Sequence, residues 1–399
     1  MSVNPRVLIL GAGRGQVGLI RAANEMGLTA VVASMPSNTA PGLTFADVIA
    51  TADISDPREI LEVAQLHEVN AIATSCADTG VPAVGLVSEK LDLIGLSADA
   101  AQICDDKLLM KKAFEQHGVR SAKFREVAEV EDLENVLIEL SLPLIVKATD
   151  LQGSQGIYIA RTEDELHRGF EFSMEATRRK SVIVEEFIEG EEFGAQAMIQ
   201  NGELVFVLPH SDEVLMAKTA VPVGHAVPLV ASDDLVESTR REVVAAVTAV
   251  GLDNCAVNVD LISRDGEVFI IELTGRAGAN GLPEMVSEYF DVNYYEEILK
   301  LALGRALDEK LYEQPAGAPA VAVRMIARPN IHGEVASIGF DPETVGDAEV
   351  VLFRTQGDQI DGFTSSADCI GQVTVTAQTL EAAFKRLDEV DSAVQIELK

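Results

Sequence analysis

Short apolar runs alternate with segments of helical spacing through the first hundred residues, and this alternation constrains the fold more than any other feature of the sequence. Apolar runs at Val7–Leu10, Thr29–Ser34 and Ala71–Thr74 predict buried strands. The stretch Leu19–Met26 has helical spacing and is ended by Gly27. Strands separated by helices are typical of parallel, doubly wound sheets. The sequence therefore predicts an α/β unit of that type at the N-terminus.

The pattern changes after about one hundred residues. A helix is predicted over Lys107–His117, capped by Asp105 and Asp106. Strands at Leu142–Ala148 and Ile157–Arg161 flank a glycine loop, as in a β-hairpin. The other predicted elements are a helix after the capping sequence Thr162–Glu165, strands Val182–Phe187, Ala256–Ile262 and Val268–Leu273, helices Val236–Val250 and Asn293–Leu303, and, after a linker at Gln314–Pro319, several strands followed by one helix, Thr379–Val390. This order predicts α+β architecture for the rest of the chain.

Length, net charge and composition limit the classes of protein to which the sequence can belong. At about 150 residues per domain, 399 residues predict two or three domains. The net charge of −33 repels nucleic acid and anionic membranes, so neither is expected as a partner. The four cysteines form no C-x-x-C pair, and no apolar run is long enough for a signal peptide or a membrane span. We therefore expect a cytoplasmic protein.

Three glycines, Gly13, Gly15 and Gly18, form a G-x-G-x-x-G pattern in a predicted turn, Gly11–Gly18. In dinucleotide-binding units an acidic residue that binds the ribose follows about 20 residues later. No Asp or Glu occurs between positions 25 and 47. Three interpretations stay open: dinucleotide binding, which the missing acid disfavours, a purely structural tight turn, and a contact with one of the protein's own substrates.

Five features that can carry chemistry follow in order. They are Lys107, Lys147, the loop Gln152–Gly156, the segment Glu185–Ile188 with Glu192, and the group Asp260, Glu272 and Arg276. Two lysines from separate elements can hold the phosphates of a nucleotide from two sides. The loop lacks G-K-[ST] and lies between strands, so it is not a Walker A loop. Its backbone N–H groups can still bind phosphate, and the residues concerned are Gly153, Ser154, Gln155 and Gly156.

Asp260 and Glu272 lie on two predicted neighbouring strands. An odd loop length would point both side chains to the same face. Two close carboxylates repel unless a cation lies between them, and Mg²⁺ prefers carboxylate and phosphate oxygens. Four residues beyond Glu272, the guanidinium of Arg276 can hold a carboxylate or a transferring phosphoryl group.

Taken together, the ordered set resembles the ATP-grasp superfamily over essentially the whole chain. The resemblance implies three domains: a pre-ATP-grasp domain over residues 1–103, an α+β ATP-grasp domain over 104–307 with a mobile lid at about 122–188, and a small α+β C-terminal domain over 308–399. The last domain resembles that of biotin carboxylase-like and L-amino-acid ligase-like members.

The resemblance also implies roles for single residues. The implied ligands are Lys107 and Lys147 for ATP, Glu185 for the adenine amino group, the backbone of Phe187 and Ile188 for the ring, Glu192 for the ribose, and Asp260 with Glu272 for Mg²⁺, Mn²⁺ being an alternative. Arg276 and Lys147 are the expected catalytic residues.

Two departures from the superfamily pattern direct the functional prediction. Relatives usually continue Glu-x-Asn-x-Arg, whereas Thr274 stands here, and biotin carboxylases have a catalytic Glu where Asn280 stands. The predicted activity is therefore an ADP-forming carboxylate–amine ligase with an acyl-phosphate intermediate. A bicarbonate-activating carboxylase or carbamoyl-phosphate synthetase-type enzyme and a non-catalytic ATP-binding regulatory protein are the alternatives. The sequence leaves open the identity of the acid and the amine, and the oligomeric state, a homodimer included.

Overall fold

A parallel sheet forms the first unit of the fold. A computed structural model describes residues 4–151, 155–216, 220–313 and 317–399 of the chain. The first elements are β1 (Arg6–Leu10), α1 (Arg14–Glu25), β2 (Thr29–Ser34), β3 (Val48–Thr51), α2 (Pro57–Leu66), β4 (Ala71–Ala73), α3 (Val81–Leu91) and α4 (Ala98–Asp105). The strands run parallel in the order β3-β2-β1-β4, which confirms the predicted α/β sheet.

The glycine-rich turn is shorter than predicted, because α1 begins at Arg14. Gly15 and Gly18 therefore lie inside the helix and not in a turn. A Cβ atom at Gly18 would lie 2.2 Å from Cε2 of Tyr295, and one at Gly15 would lie 2.5 Å from Cβ of Cys76. Both glycines thus allow close packing of α1 against other elements.

A four-stranded antiparallel sheet, which we name the lid sheet, comes next. Its region contains α5 (Lys107–His117), β5 (Phe124–Val127), α6 (Leu133–Glu139), β6 (Leu144–Ala148), β7 (Ile157–Ala160), α7 (Glu163–Ala176) and β8 (Val182–Glu186). The strand order is β5-β8-β6-β7, which confirms the hairpin predicted around the glycine loop. Asp106 alone caps α5, since Asp105 is the last residue of α4.

An eight-stranded sheet forms the centre of the molecule. The chain region that supplies its first strands, with the helices between and after them, contains β9 (Glu191–Gln200), β10 (Glu203–Met216), β11 (Ala220–Val227), α8 (Asp233–Val250), β12 (Cys255–Arg264), β13 (Glu267–Thr274), α9 (Leu282–Phe290) and α10 (Tyr294–Ala302). The C-terminal elements are β14 (Ala320–Ile326), β15 (His332–Gly339), α11 (Pro342–Val345), β16 (Glu349–Leu352), β17 (Gln359–Asp361), β18 (Gly371–Ala377), α12 (Leu380–Ala393) and β19 (Gln395–Leu398).

The central sheet has the order β13-β12-β9-β10-β11-β14-β18-β16, and a three-stranded sheet has the order β17-β15-β19. Strands of the C-terminal region therefore extend the same sheet that carries β12 and β13. The prediction that α12 is the last element is wrong, because β19 follows it and pairs with β15. Period-two spacing in a strand of four residues is too short a signal to separate from a terminal coil.

Two hydrophobic cores lie on opposite faces of the parallel sheet. Leu8 and Leu10 face a core shared with the central sheet and α8, while Val7 and Ile9 face a core shared with α1 and α10. Alternation of side chains along β1 produces this division. The parallel sheet is thereby packed into the rest of the molecule. Within the residues that the structure describes, no helix has the length and apolar character needed to cross a membrane.

Candidate active site

A cavity of about 590 Å³ lies between the lid sheet and the central sheet. We name it the nucleotide cleft. Eight of the predicted site residues line it: Lys107, Lys147, Glu185, Phe187, Ile188, Glu192, Asp260 and Glu272. Gln155, Gly156 and Arg276 are not among the lining residues, and Gly153 and Ser154 lie outside the described residues.

The two predicted metal ligands face each other directly. Asp260 on β12 pairs in register with Glu272 on β13, and a bulge follows immediately after Asp260. Burial and the neighbouring charge of Glu272 raise the pKa of Asp260 to about 7. The ammonium of Lys107, 2.9 Å from Glu272, holds the pKa of Glu272 below its ordinary value. One carboxylate is therefore neutralised within the chain and the other is not, which fits a hard divalent cation with oxygen ligands.

A buried group of lysines shares a single carboxylate at the lid side of the cleft. Glu185, only 2% exposed, lies 3.1 Å from Nζ of Lys111 and 3.2 Å from Nζ of Lys147. Burial alone would raise the pKa of Glu185, but the two lysines lower it. Sequence analysis missed Lys111, although it lies four residues after Lys107 on the same helix, a spacing that places both on one face. Three lysines thus point into one cleft.

The segment after β8 has fewer backbone N–H groups available to contact an adenine ring than the sequence predicted. The N–H of Phe187 donates to the carbonyl oxygen of Pro143 at 3.0 Å, so it is already bonded. Ile188 and Glu192 line the same part of the cleft. Of the two residues predicted to contact the ring through the backbone, Phe187 therefore has its N–H occupied.

Arg276 is bound to the N-terminal unit. Its Nε donates to Asp78 Oδ1 at 2.7 Å, its Nη2 donates to Asp78 Oδ2 at 2.6 Å, and its Nη1 donates to the carbonyl of Ala277 at 3.0 Å. Burial opposes ionisation of Asp78, but the charge and hydrogen bonds of Arg276, with a smaller contribution from a Thr274 hydrogen bond, lower the pKa of Asp78. Asp78 was missed by sequence analysis, since nothing in the local sequence marks a partner 198 residues away.

A chain of side-chain amides joins Asp260, a predicted metal ligand, to the loop after β13. Asn258 Nδ2 donates to Asp260 Oδ1 at 3.1 Å, and Gln196 Nε2 donates to Asn258 Oδ1 at 2.7 Å. Gln196 Oε1 accepts from the backbone N–H of Gly278 at 2.9 Å. These amides were also missed, although Asn258 precedes Asp260 by two residues and so shares its face of β12.

Two histidines hold one carboxylate at the edge of the cleft. Asp212, which lines the cleft, accepts at Oδ1 from Nδ1 of His210 at 2.9 Å and from Nδ1 of His225 at 2.6 Å. Ligand atoms about 2.1 Å from a tetrahedral ion would lie more than 3 Å apart. The cluster is therefore a hydrogen-bonded group. It lowers the pKa of Asp212 despite burial, and desolvation lowers the pKa of His225.

A second cavity, of about 600 Å³, is lined in part by Ala279, Asn280 and Gly281 of the loop that follows β13. We name it the rear cavity. The start of α1, Cys76, Asn280, Glu284 and the C-terminal region line it. The glycine motif Gly13–Gly18 therefore lines a ligand-sized space, and a contact with a substrate stays open beside the packing role of Gly15 and Gly18.

Comparisons with known proteins agree with this geometry. The ATP-grasp (A) domain of phosphoribosylglycinamide synthetase matches residues 105–217, and the C-terminal domain 2 of L-amino acid ligase matches residues 332–399. A crystal structure of phosphoribosylglycinamide synthetase from Anaerococcus prevotii is 43% identical, with 100% of both chains covered and a TM-score of 0.88. The chain belongs to the ATP-grasp superfamily.

More distant relatives agree in fold. The L-amino acid ligase from Bacillus licheniformis has a TM-score of 0.82 at 18% identity, with 100% of both chains covered. Alanine–anticapsin ligase from Bacillus subtilis is 28% identical over 275 residues, which cover 63% of this chain and 57% of that protein. The chain thus matches little more than half the length of that curated relative.

Proposed function

We propose that the protein is an ADP-forming carboxylate–amine ligase that activates an acid as an acyl phosphate. The observation that carries the proposal is the convergence of three lysines and two facing carboxylates on one cleft beneath the lid sheet. Cations from separate elements suit a triphosphate, and paired carboxylates suit the metal ion that accompanies it. The ATP-grasp relationship supports the same activity.

Each residue has a proposed task. Lys107 and Lys147 bind phosphate oxygens, Lys111 balances Glu185, and Asp260 with Glu272 hold Mg²⁺ or Mn²⁺. When bound, the metal ion would neutralise the charge that develops on the terminal phosphate. Glu185, Phe187, Ile188 and Glu192 are proposed to bind the adenosine, and the loop over Gly153, Ser154, Gln155 and Gly156 is proposed to cover the phosphates.

The reaction needs two bond exchanges. A carboxylate oxygen of the acid attacks the γ-phosphorus while the bond from that phosphorus to the ADP oxygen breaks. The amine nitrogen then attacks the acyl carbon, its proton leaves, and the bond to phosphate breaks. Three of the five N–H groups of the Arg276 guanidinium donate within the chain, and we propose that its charge opposes the rise in the pKa of Asp260 that burial and Glu272 cause.

The geometry of Asn280 supports a ligase over a bicarbonate-activating enzyme. Its side-chain Nδ2 donates to the carbonyl of Pro222 at 3.1 Å, and an amide accepts no proton at neutral pH. A base for bicarbonate is therefore missing at the position where biotin carboxylases have one.

We also propose three domains with the boundaries expected above: 1–103, 104–307 and 308–399. The lid sheet, which runs from Phe124 to Glu186, supports a lid at about 122–188. The acid, the amine and a homodimeric state are left to experiment.

Isotope transfer tests the proposed mechanism. Amino acids labelled with ¹⁸O in the carboxyl group are screened singly and in pairs with ATP and Mg²⁺. We expect ADP and phosphate as products, with one labelled oxygen in the phosphate. Label in AMP would mean adenylation and would exclude the acyl phosphate.

A further inference from the structure

Lys111 is a third ammonium in a cleft where two lysines are already proposed to bind phosphate. It lies on α5, one turn after Lys107, and its side chain is 3% exposed. Its Nζ has Glu185 Oε2 as an ion-pair partner at 3.1 Å, and within the described residues no acceptor meets it in hydrogen-bond geometry. A buried ammonium normally donates up to three hydrogen bonds, so packing alone does not account for this lysine.

Glu185 is held in one place and by one of its two oxygens. On β8 it lies between Phe124 of β5 and Ile145 of β6, so apolar residues flank it in the lid sheet. Nζ of Lys111 and Nζ of Lys147 both approach Oε2, at 3.1 and 3.2 Å. The carboxylate lines the nucleotide cleft, and Oε1 is the oxygen that remains for a ligand.

The two lysines beside Glu185 differ in the tasks that they can perform. Two ammonium groups and one carboxylate leave one positive charge, which suits a phosphate oxygen. Lys147 is proposed to bind that oxygen, and Lys111 then remains as the cation beside Glu185. Burial opposes ionisation of Glu185, but the charges of both lysines lower its pKa. Burial also lowers the pKa of Lys111, and the charge of Glu185 opposes that shift.

An ionised carboxylate distinguishes purines at their 6-position. It accepts hydrogen bonds and donates none. The 6-amino group of adenine donates, so it can bond to Oε1 of Glu185, whereas a purine without that group has nothing to donate there. The selectivity depends on a carboxylate that stays charged and keeps its orientation, because a rotated or protonated group would read the base differently.

We propose that Lys111 is a positioning residue that sets the base selectivity of the nucleotide cleft through Glu185. Its ammonium holds Oε2, which keeps Oε1 available to the 6-amino group of adenine while Lys147 binds phosphate. Lys111 itself contacts neither the base nor the phosphates. The inference rests on the proposed nucleotide site and gives a role to a residue that phosphate and metal binding leave unused.

Purine riboside 5′-diphosphate tests this role, because it differs from ADP only in lacking the 6-amino group. Binding of each nucleotide with Mg²⁺ is measured by titration calorimetry, which needs no acid or amine. For the wild type we expect ADP to bind about thirtyfold more tightly, as one hydrogen bond to a charged group allows. In Lys111→Met, ADP should bind about tenfold more weakly and the analogue less than about twofold more weakly.

Lys112→Met is the matched control, since Lys112 is the next residue of α5, is half exposed and pairs with Glu126. Its preference for ADP should stay within about twofold of the wild type. Lys111→Gln is a second variant without the charge and should change the preference in the same direction as Lys111→Met. In a Glu185→Gln background, Lys111→Met should change the preference by less than about twofold, because its effect passes through the carboxylate. Thermal unfolding checks that each variant is folded.

A loss of equal size for both nucleotides in Lys111→Met would mean a structural role and would overturn the inference. An unchanged preference in that variant, or a wild type that binds both nucleotides equally well, would overturn it too. In all three cases the protein still binds a nucleotide, and the proposed ligase function stands. A wild type that binds neither nucleotide overturns the proposed function, and with it the inference.

Discussion

The nucleotide cleft and the rear cavity are similar in volume, about 590 and 600 Å³, but differ in how their charges are balanced. In the cleft, Lys107 pairs with Glu272, and two further lysines share Glu185. In the rear cavity, which Arg14 and Arg21 also line, Glu284 is hydrogen-bonded to Tyr295 and Gln372 and forms no ion pair within the described residues. The cleft therefore holds its charged groups in place through ion pairs, whereas Glu284 in the rear cavity is held by neutral hydrogen-bond donors.

Substitution of one predicted metal ligand should have the largest effect on activity in the nucleotide cleft. In Asp260→Asn and Glu272→Gln we expect ADP formation to fall by roughly a thousandfold, because the charge stabilisation supplied by a metal ion is worth several kcal/mol. The measurement is the steady-state rate of ADP release with the acids found active. Glu267→Gln, on the same strand β13 but exposed, is the control. Rates close to the wild type in either variant would remove these residues from the metal site.

Removal of the shared carboxylate tests whether the lysines depend on it. Glu185→Gln leaves two buried ammonium groups without their counter-ion. We expect the free energy of unfolding to fall by about 3 kcal/mol. Denaturant unfolding measures the change, and Glu284→Gln is the comparison from the rear cavity. Glu284 forms no ion pair with a lysine or arginine that the structure describes, so its loss should cost clearly less; a larger cost for Glu284→Gln would contradict the comparison.

Nucleotide binding should affect the two cavities unequally. Lids over phosphates close when the nucleotide binds, so residues about 122–188 should show amide exchange that is slower by about tenfold with a non-hydrolysable ATP analogue and Mg²⁺. Peptides from α1 and α9 should change little, since Arg14 already fixes that wall of the rear cavity through hydrogen bonds to the carbonyls of Cys369 and Ser366. Hydrogen exchange followed by mass spectrometry tests both statements. Equal exchange of the lid in the two states would argue against closure.

Metal binding should be linked to pH through Asp260. Burial and Glu272 raise its pKa to about 7, against about 4 in the unfolded chain. The ionised form is thus disfavoured in the metal-free protein, which should lose stability as pH rises from about 4 to about 7. A cation needs that form, so Mn²⁺ binding should release close to one proton near pH 6 and few near pH 8. Calorimetry in two buffers of different ionisation enthalpy measures the release, and equal release at both pH values would contradict this.

The sequence predicted those helices, strands and side-chain placements that depend on local sequence pattern. Helix α5 and the lid hairpin follow from capping residues, apolar runs and a glycine loop, and Asp260 and Glu272 follow from two adjacent strands. Local pattern misplaced the start of α1, because Gly15 and Gly18 look like turn residues until their packing partners are known. Partners that are distant in sequence, such as Asp78 and the walls of the rear cavity, leave no local signal.

The contact between Arg276 and Asp78 has a consequence for modularity. Two parallel hydrogen bonds fix the loop after β13 to the segment just before α3, in the N-terminal unit. Such a fork-to-fork contact tolerates little change in angle or distance. The N-terminal unit therefore fixes the position of the loop after β13, and exchanging that unit would affect the loop. A chimaera that takes its first hundred residues from a relative must keep an acidic partner for Arg276 at the place of Asp78. Otherwise the loop will be misplaced even where every residue of the nucleotide cleft is unchanged.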